Sequence, residues 1–149
     1  FSQPVLVDVT DTPELWQEGD PVRQDLGDDF KQAPGRRVYG LQSPLGSFVA
    51  YCCVARTSKV PESLEQLTNE TSETGDILVP YTVWSLQKGS GKKIIELLID
   101  KANQETSVTR LVTFSPHTKL AEKFHLSNGA TKLGDSEEAV NFEYSLSGP

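Results

Sequence analysis

Residues 110–130 have the sequence RLVTFSPHTKLAEKFHLSNGA, and the order of apolar and polar residues in this stretch decides the fold. The apolar run from Leu111 to Phe114 predicts a strand, which ends at the pair Ser115-Pro116. A short amphipathic helix is predicted next, because apolar residues recur at helical spacing. That helix carries Leu120, Ala121 and Phe124. The stretch therefore places a strand end, a helix and an Asn-Gly turn in immediate succession.

Both histidines of the chain, His117 and His125, lie in this stretch, together with the hydroxyl of Ser115. Ligands in open α/β sheets bind beyond the carboxyl ends of strands, so these side chains are candidates for a site. His117 has no assigned role and is expected to line the same pocket. Each residue type also has a structural interpretation, since Ser before Pro often ends a strand and His before Asn-Gly often bonds the backbone.

Composition indicates one ordinary globular domain over residues 1–149, with 36% hydrophobic and 23% charged residues. A net charge of −7 argues against a nucleic-acid-binding surface. No apolar run reaches membrane-spanning length, and residues 1–8 lack the features of a signal peptide. We therefore expect a cytoplasmic protein that does not associate with membranes. Cys52 and Cys53 are adjacent in a predicted strand and should face opposite sides as reduced thiols.

The remaining patterns predict a mixed sheet flanked by helices, an α/β (α+β) fold. β-favouring residues predict strands at 1–9, 38–42, 48–56, 77–86, 111–114 and 139–146. Helices are expected at 62–67 and from about residue 94, where Ile94, Leu97, Leu98 and Ala102 form a stripe. Residues 11–29 are expected to form short helical turns and loop, because prolines and glycines interrupt an acidic run.

The segment Gln87–Lys93 (QKGSGKK) opens the long helix directly after a strand. Backbone N–H groups in such a turn can bind a pyrophosphate, helped by the helix dipole and by the lysines. A plain strand-to-helix turn with solvated lysines explains the same residues. The segment is not a P-loop, because Leu86 occupies the first glycine position and Lys93 the Ser/Thr position.

This order of elements resembles the GNAT acyltransferase fold, whose sheet is mixed and mostly antiparallel. Gly89 and Gly91 fit the two glycine positions of the GNAT motif, although Leu86 replaces its Arg or Gln. The resemblance implies a coenzyme A thioester as the ligand. The residues that it implies for binding are Ser85, Leu86, Gln87, Lys88, Gly89, Ser90, Gly91 and Lys92.

A second resemblance is to the catalytic domain of malonyl-CoA decarboxylases, which has the GNAT fold. Residues 124–130 (FHLSNGA) match that family's Phe-His-Leu-x-Asn-Gly-Ala motif, and residues 114–116 and 141–144 match its Ser-Pro strand end and its closing strand. Further matches in chain order are Arg36-Arg37, Val54–Thr57, Val60–Ser63, Val83–Gln87 and Leu98-Ile99. The likeness covers residues 18–146, a minimal version without the family's N-terminal helical domain.

The decarboxylase resemblance implies that Ser115, His125 and Tyr144 are the catalytic residues and that no metal takes part. His125 is expected to bond the carboxylate or enolate and to act as an acid without a large pKa shift. Ser115 is expected to orient the acyl group or relay a proton, and Tyr144 to support them. The acyl group would be carried by coenzyme A or by an acyl-carrier protein, and the chain is a possible homo-oligomer.

Two other functions remain open at this stage. An acetyltransferase acting on an amine or a carrier thiol would use the same coenzyme A turn, but it needs a general base. Residues 78–87 contain no Glu or Asp to supply that base. The second alternative is a catalytically inactive module that only binds acyl-CoA.

Overall fold

The computed structural model describes residues 3–17 and 19–147. Within them, seven strands form one sheet in the order β1-β2-β3-β4-β5-β7-β6. The strands are β1 (Val5–Asp8), β2 (Arg36–Gln42), β3 (Phe48–Thr57), β4 (Ile77–Ser85), β5 (Arg110–Val112), β6 (Thr131–Asp135) and β7 (Val140–Tyr144). Only β4 and β5 are parallel, and every other neighbouring pair is antiparallel. The predicted mixed, mostly antiparallel sheet is confirmed.

The helices are α1 (Asp28–Gln32), α2 (Leu64–Glu70), α3 (Ser90–Gln104) and α4 (Lys119–Ser127), and a 3₁₀ turn covers Pro13–Leu15. Side-chain caps begin two of them: the Ser63 hydroxyl accepts from the Gln66 N–H, and the Thr118 hydroxyl accepts from the Ala121 N–H. No helix in the described part of the chain has the length and apolarity needed to cross a membrane.

Helix α3 packs on the sheet through the predicted apolar stripe. Ile94, Leu98 and Ala102 are buried, as the helical period requires. Cys52 and Cys53 belong to apolar clusters on opposite faces of the sheet, and both are free thiols. Their predicted orientation is confirmed, and the sheet therefore has a core on each face.

Several local predictions are wrong. Strand β6 was not predicted, because Leu133 is its only large apolar residue and the strand lies exposed at the sheet edge. Leu120 does not join the apolar face of α4, since it is 81% exposed. Helix α2 begins and ends later than predicted, at Leu64 and Glu70, because Ser63 caps its first turn.

The parallel pairing of β4 with β5 is short, and the opening between the two strands forms the pocket described below. The two strands align only at Ile77 with Arg110 and at Leu78 with Leu111. A β-bulge follows in β4: Cys53 pairs with Thr82 and the next residue of β3 pairs with Pro80, so Tyr81 is the extra residue. Bulges bend a strand and are frequent beside functional sites. The strands separate beyond this point.

Candidate active site

A pocket of about 540 Å³ lies where β4 and β5 separate. Residues 80–85 of β4 form one wall, and Ser115 and Pro116 lie on the opposite side at the end of β5. Residues of α4 close a third side, and Pro21 and Val22 close a fourth. A cleft of this size is in the range that encloses a small ligand or the acyl end of a larger one.

Ser115 lies in this pocket with a fixed hydroxyl. Its backbone N–H donates to the Val140 carbonyl at 3.0 Å, and its own carbonyl accepts from the Val140 N–H at 2.9 Å. The Ser115 hydroxyl donates to Thr113 Oγ1 at 2.8 Å, and Thr113 Oγ1 also accepts from the Phe142 N–H at 3.0 Å. The Ser115 side chain is therefore bonded on its inner side and faces the pocket with its remaining lone pairs.

His125 lines the same pocket from α4. Its Nδ1 lies 2.7 Å from the hydroxyl of Tyr144, a residue of β7. The imidazole is stacked on Phe142, with ring centroids 5.3 Å apart, and meets the edge of Phe124 at 5.1 Å. Among the described residues, His125 Nε2 has no hydrogen-bond partner, so this nitrogen is available to a ligand. The structure thus places Ser115 and His125 in the lining of one pocket, and Tyr144 contacts His125 without lining the pocket itself.

Burial changes the acid–base behaviour expected of His125. The imidazole is only 6% exposed, and the resulting desolvation lowers its pKa to about 4. The expectation of a histidine without a large pKa shift is therefore wrong. At neutral pH His125 is an uncharged imidazole that can donate a hydrogen bond from one nitrogen and accept one at the other.

His117 does not line the pocket, and this prediction is also wrong. Its side chain is exposed, and Nε2 donates to the Ser136 carbonyl at 2.6 Å. Ser136 belongs to the connection between β6 and β7, away from the pocket lining. Pro116 turns the chain at this position, so that residues 115 and 117 face different surroundings.

The glycine turn reaches the pocket at two of its eight predicted binding residues, Ser85 and Gly91. The Ser90 hydroxyl is used internally and donates to the Val49 carbonyl at 2.8 Å. Gly89 caps α3 with a φ of 84°, a backbone conformation that side chains disfavour. The other four residues of the turn are exposed outside the pocket lining: Leu86, Gln87, Lys88 and Lys92.

The pocket lining is uncharged. Among the described residues that form it, none is Asp, Glu, Lys or Arg, and its one titratable imidazole is His125. Positive charge lies outside, on the exposed Lys88 and Lys92 at the start of α3. Across residues 3–17 and 19–147, no group of three His, Cys, Asp or Glu side chains could hold a metal ion.

Comparison with protein families and with curated proteins gives no match. Solved structures do match. The loading GNATL domain of CurA from Lyngbya majuscula superposes with a TM-score of 0.69 at 14% identity, over 97% of this chain and 98% of that domain. The GphF GNAT-like decarboxylase, solved with isobutyryl-CoA, gives 0.68 at 11% identity, over 95% and 98% of the two chains.

A malonyl-CoA decarboxylase from Agrobacterium vitis is similar in fold, with a TM-score of 0.65 and 18% identity. The alignment covers 81% of this chain and 35% of the decarboxylase, so the chain spans about a third of that enzyme. Identities this low establish the fold alone. The chain has the GNAT fold, and its structural neighbours include malonyl-CoA decarboxylases, a GNAT-like decarboxylase and a loading GNATL domain.

Proposed function

We propose that this protein binds a malonyl thioester and converts it to the acetyl thioester and carbon dioxide. The observation that carries the proposal is the composition of one pocket, which combines Ser115 and His125 with a lining free of charged side chains. The structural neighbours support it, because two of them are decarboxylases by name.

The reaction breaks the bond between the malonyl carboxylate carbon and C2. The electron pair of this bond forms a thioester enolate as carbon dioxide leaves, and C2 then takes a proton. Such a site needs a hydrogen-bond donor at the thioester oxygen, where negative charge develops. It also benefits from having no cation beside the carboxylate, since an ion pair would stabilise the ground state more than the transition state. The uncharged lining meets the second requirement.

His125 is the donor in this scheme. Its Nδ1 is within hydrogen-bond distance of Tyr144, and burial raises the pKa of that phenol, so Tyr144 remains protonated. A tyrosine O–H that donates to Nδ1 leaves the imidazole proton on Nε2, the nitrogen without a protein partner. Nε2–H then donates to the enolate oxygen. Tyr144 acts on the substrate only through His125 and is a positioning residue.

Ser115 is the second proposed catalytic residue. In the structure its hydroxyl donates to Thr113 Oγ1. To orient the carboxylate, which only accepts hydrogen bonds, or to protonate C2, the Ser115 O–H must turn from Thr113 toward the substrate. In the relay, this proton goes to C2, and a water molecule then returns a proton to Ser115 Oγ and leaves as hydroxide.

Coenzyme A is the proposed carrier of the acyl group. Ser85 and Gly91 connect the pocket to the start of α3, where the helix N-terminus and the exposed Lys88 and Lys92 suit the phosphates. An acyl-carrier protein would present the same thioester on its pantetheine arm. An acetyltransferase function is less well supported, because the described pocket lining contains no carboxylate to serve as general base.

The test is a malonyl-CoA decay assay with product identification. Ser115→Ala and His125→Ala should each lower turnover by roughly 10²-fold or more while the Kd for coenzyme A changes little. His117→Ala is the matched control and should retain full turnover, because His117 lies outside the pocket.

Three outcomes separate the functions considered. Acetyl-CoA formation that depends on Ser115 and His125 supports the decarboxylase. Release of coenzyme A only in the presence of an amine or thiol acceptor would indicate an acyltransferase instead. Binding of acyl-CoA without formation of any product would indicate that the protein is a module that only binds acyl-CoA.

A further inference from the structure

One side chain, that of Arg23, bridges the gap between β4 and β5 next to the pocket without being one of the residues that line it. The last hydrogen bond between these two parts of the chain runs from the Phe114 N–H to the Pro80 carbonyl, at 2.9 Å. Beyond it, Arg23 Nε donates to the Tyr81 carbonyl at 3.2 Å and Arg23 Nη2 donates to the Phe114 carbonyl at 2.9 Å. The guanidinium replaces the backbone pairing that two adjacent strands would otherwise make.

Arg23 is also held by its surroundings. Its guanidinium carbon lies 4.9 Å from the centre of the Phe114 ring, a favourable cation–π distance. The side chain is half-buried, and burial lowers the pKa of its guanidinium. Two charge-assisted hydrogen bonds to main-chain carbonyls and one ring contact make this side chain much harder to displace than an apolar one.

A buried carboxylate fixes the loop that carries Arg23. Asp20 Oδ1 accepts from the N–H groups of Val22 and Arg23, at 2.8 and 3.0 Å, and from the Thr82 hydroxyl at 2.9 Å. Asp20 Oδ2 lies 2.7 Å from the Lys31 ammonium, and each of these two side chains is 4% exposed. The loop is therefore anchored to β4, and it places Val22 on the pocket beside Arg23.

We propose that Arg23 limits the size of the acyl group that the pocket accepts, by filling the gap between β4 and β5 and tying the two strands together. This inference rests on the proposed function only in that the pocket takes an acyl thioester. Because Arg23 is not among the residues that line the pocket, a short acyl group does not contact the guanidinium, whereas a longer chain would have to displace it. The substrate class is then the short-chain acyl thioesters.

The experiment measures the Kd of acetyl-, butyryl-, hexanoyl- and octanoyl-CoA by calorimetry. These saturated thioesters cannot lose carbon dioxide, so binding is separated from turnover. For the wild type, affinity should fall as the chain lengthens. In Arg23→Ala the octanoyl-to-acetyl affinity ratio should rise by roughly tenfold or more, the factor expected when two methylenes are newly buried. Arg23→Lys should keep most of the discrimination, because it retains a cation that can reach one carbonyl.

Arg110→Ala is the matched control. Arg110 also makes two hydrogen bonds, both at 2.9 Å, but to Glu143 and outside the pocket. This variant should keep the wild-type ratio. If Arg23→Ala does not fold, Arg23→Gln takes its place, because glutamine is shorter and can bridge only part of the gap. Its octanoyl-to-acetyl ratio should rise above that of Arg23→Lys, and a ratio equal to the wild type would contradict the proposal.

The outcomes distinguish this inference from the proposed function. An Arg23→Ala protein that binds acetyl-CoA with an unchanged octanoyl-to-acetyl ratio overturns the size limit, whatever the enzyme does with malonyl-CoA. A wild type that selects short chains but forms no acetyl-CoA from malonyl-CoA overturns the decarboxylation and leaves the size limit standing. A wild type that binds no acyl thioester overturns both.

Discussion

Thr113 determines where the hydroxyl proton of Ser115 points. Thr113 is fully buried, and its Oγ1 accepts hydrogen bonds from the Ser115 hydroxyl and from the Phe142 N–H. Its carbonyl accepts from the Asn141 side-chain amide at 2.8 Å, which ties the same residue to β7. Thr113 thus links the candidate serine to the strand that carries Tyr144, and in the proposed mechanism its hydroxyl would position Ser115.

The prediction at this residue compares two substitutions. Thr113→Val keeps the shape but removes the acceptor, so kcat should fall up to roughly tenfold and the free energy of unfolding by about 1–3 kcal/mol. Thr113→Ser keeps the hydroxyl and should restore most of kcat. Steady-state kinetics and urea unfolding of both variants provide the measurement. A Thr113→Val enzyme with wild-type kcat would show that the Ser115 hydroxyl needs no partner.

Individual site residues were predictable to different degrees. Ser115 and His125 are candidates from sequence because a hydroxyl and an imidazole flank one strand end, and the structure places both in one pocket. Thr113 was missed, although it lies two residues before Ser115, the spacing that puts side chains of extended chain on one face. The low pKa of His125 could not be predicted, since it depends on burial among rings from other elements.

At the scale of elements, the contact of α3 with α4 depends on a glycine. A Cβ at Gly91 would lie 3.2 Å from Phe124 Cε1 and 3.8 Å from the Ser85 Cβ. Phe124 lines the pocket and meets the edge of His125. The absent side chain of Gly91 therefore lets the start of α3 approach the helix that carries the candidate imidazole of His125.

We expect Gly91→Ala to weaken acyl-CoA binding several-fold, since Phe124 must move to avoid a contact tighter than is usual for a Cβ. Gly89→Ala is the comparison. Nothing lies within 4 Å of the position that the new methyl group at residue 89 would take. The loss of stability from Gly89→Ala therefore comes from the positive φ of 84°. That cost is about 1–2 kcal/mol of unfolding free energy. Calorimetry and urea unfolding separate the two effects, and equal losses of stability in both variants would contradict this explanation.

Helices and strands with a clear hydrophobic period were predictable from the sequence. Those that form only by pairing with an adjacent strand were not. Helix α3 follows from its apolar stripe, and β3 from a long run of β-favouring residues. Strand β6 has no such pattern, because it pairs with β7 through its backbone at an exposed edge. The end of α4 at Ser127 agrees with the Asn-Gly pair that follows it.

At the scale of the whole molecule, the pocket depends on contacts between distant parts of the chain. Arg23 bonds carbonyls that lie 58 and 91 residues further along the sequence. A local pattern contains no information on such a contact, which is why the gap between β4 and β5 and its bridging side chain were not predicted. The order of helices and strands, by contrast, was enough to predict the fold, since it restricts the possible sheet topologies to a few.

The global stability of the protein should depend on pH through His125. Burial lowers the pKa of His125 to about 4 in the folded state. In the unfolded chain its pKa returns to the ordinary value of about 6.5, so the unfolded state binds a proton between these two values and the folded state does not. Stability contributed by the neutral imidazole is therefore fully present above about pH 6.5 and is lost as the pH falls to about 4. The total loss is about 3 kcal/mol.

Urea unfolding of the wild type and of His125→Gln at about pH 7 and about pH 4 measures this contribution. Glutamine does not titrate and can still bond Tyr144, so the acid-induced loss of stability should be smaller in His125→Gln by about 3 kcal/mol. Carboxylates with lowered pKa values, such as Asp20 and Glu143, titrate in both proteins and cancel in the difference. His117→Gln is the control and should follow the wild type, because His117 is exposed. Equal losses in the wild type and His125→Gln would mean that the folded state solvates the His125 imidazole as well as the unfolded chain does, which would contradict the lowered pKa and the buried, neutral imidazole that the proposed mechanism uses.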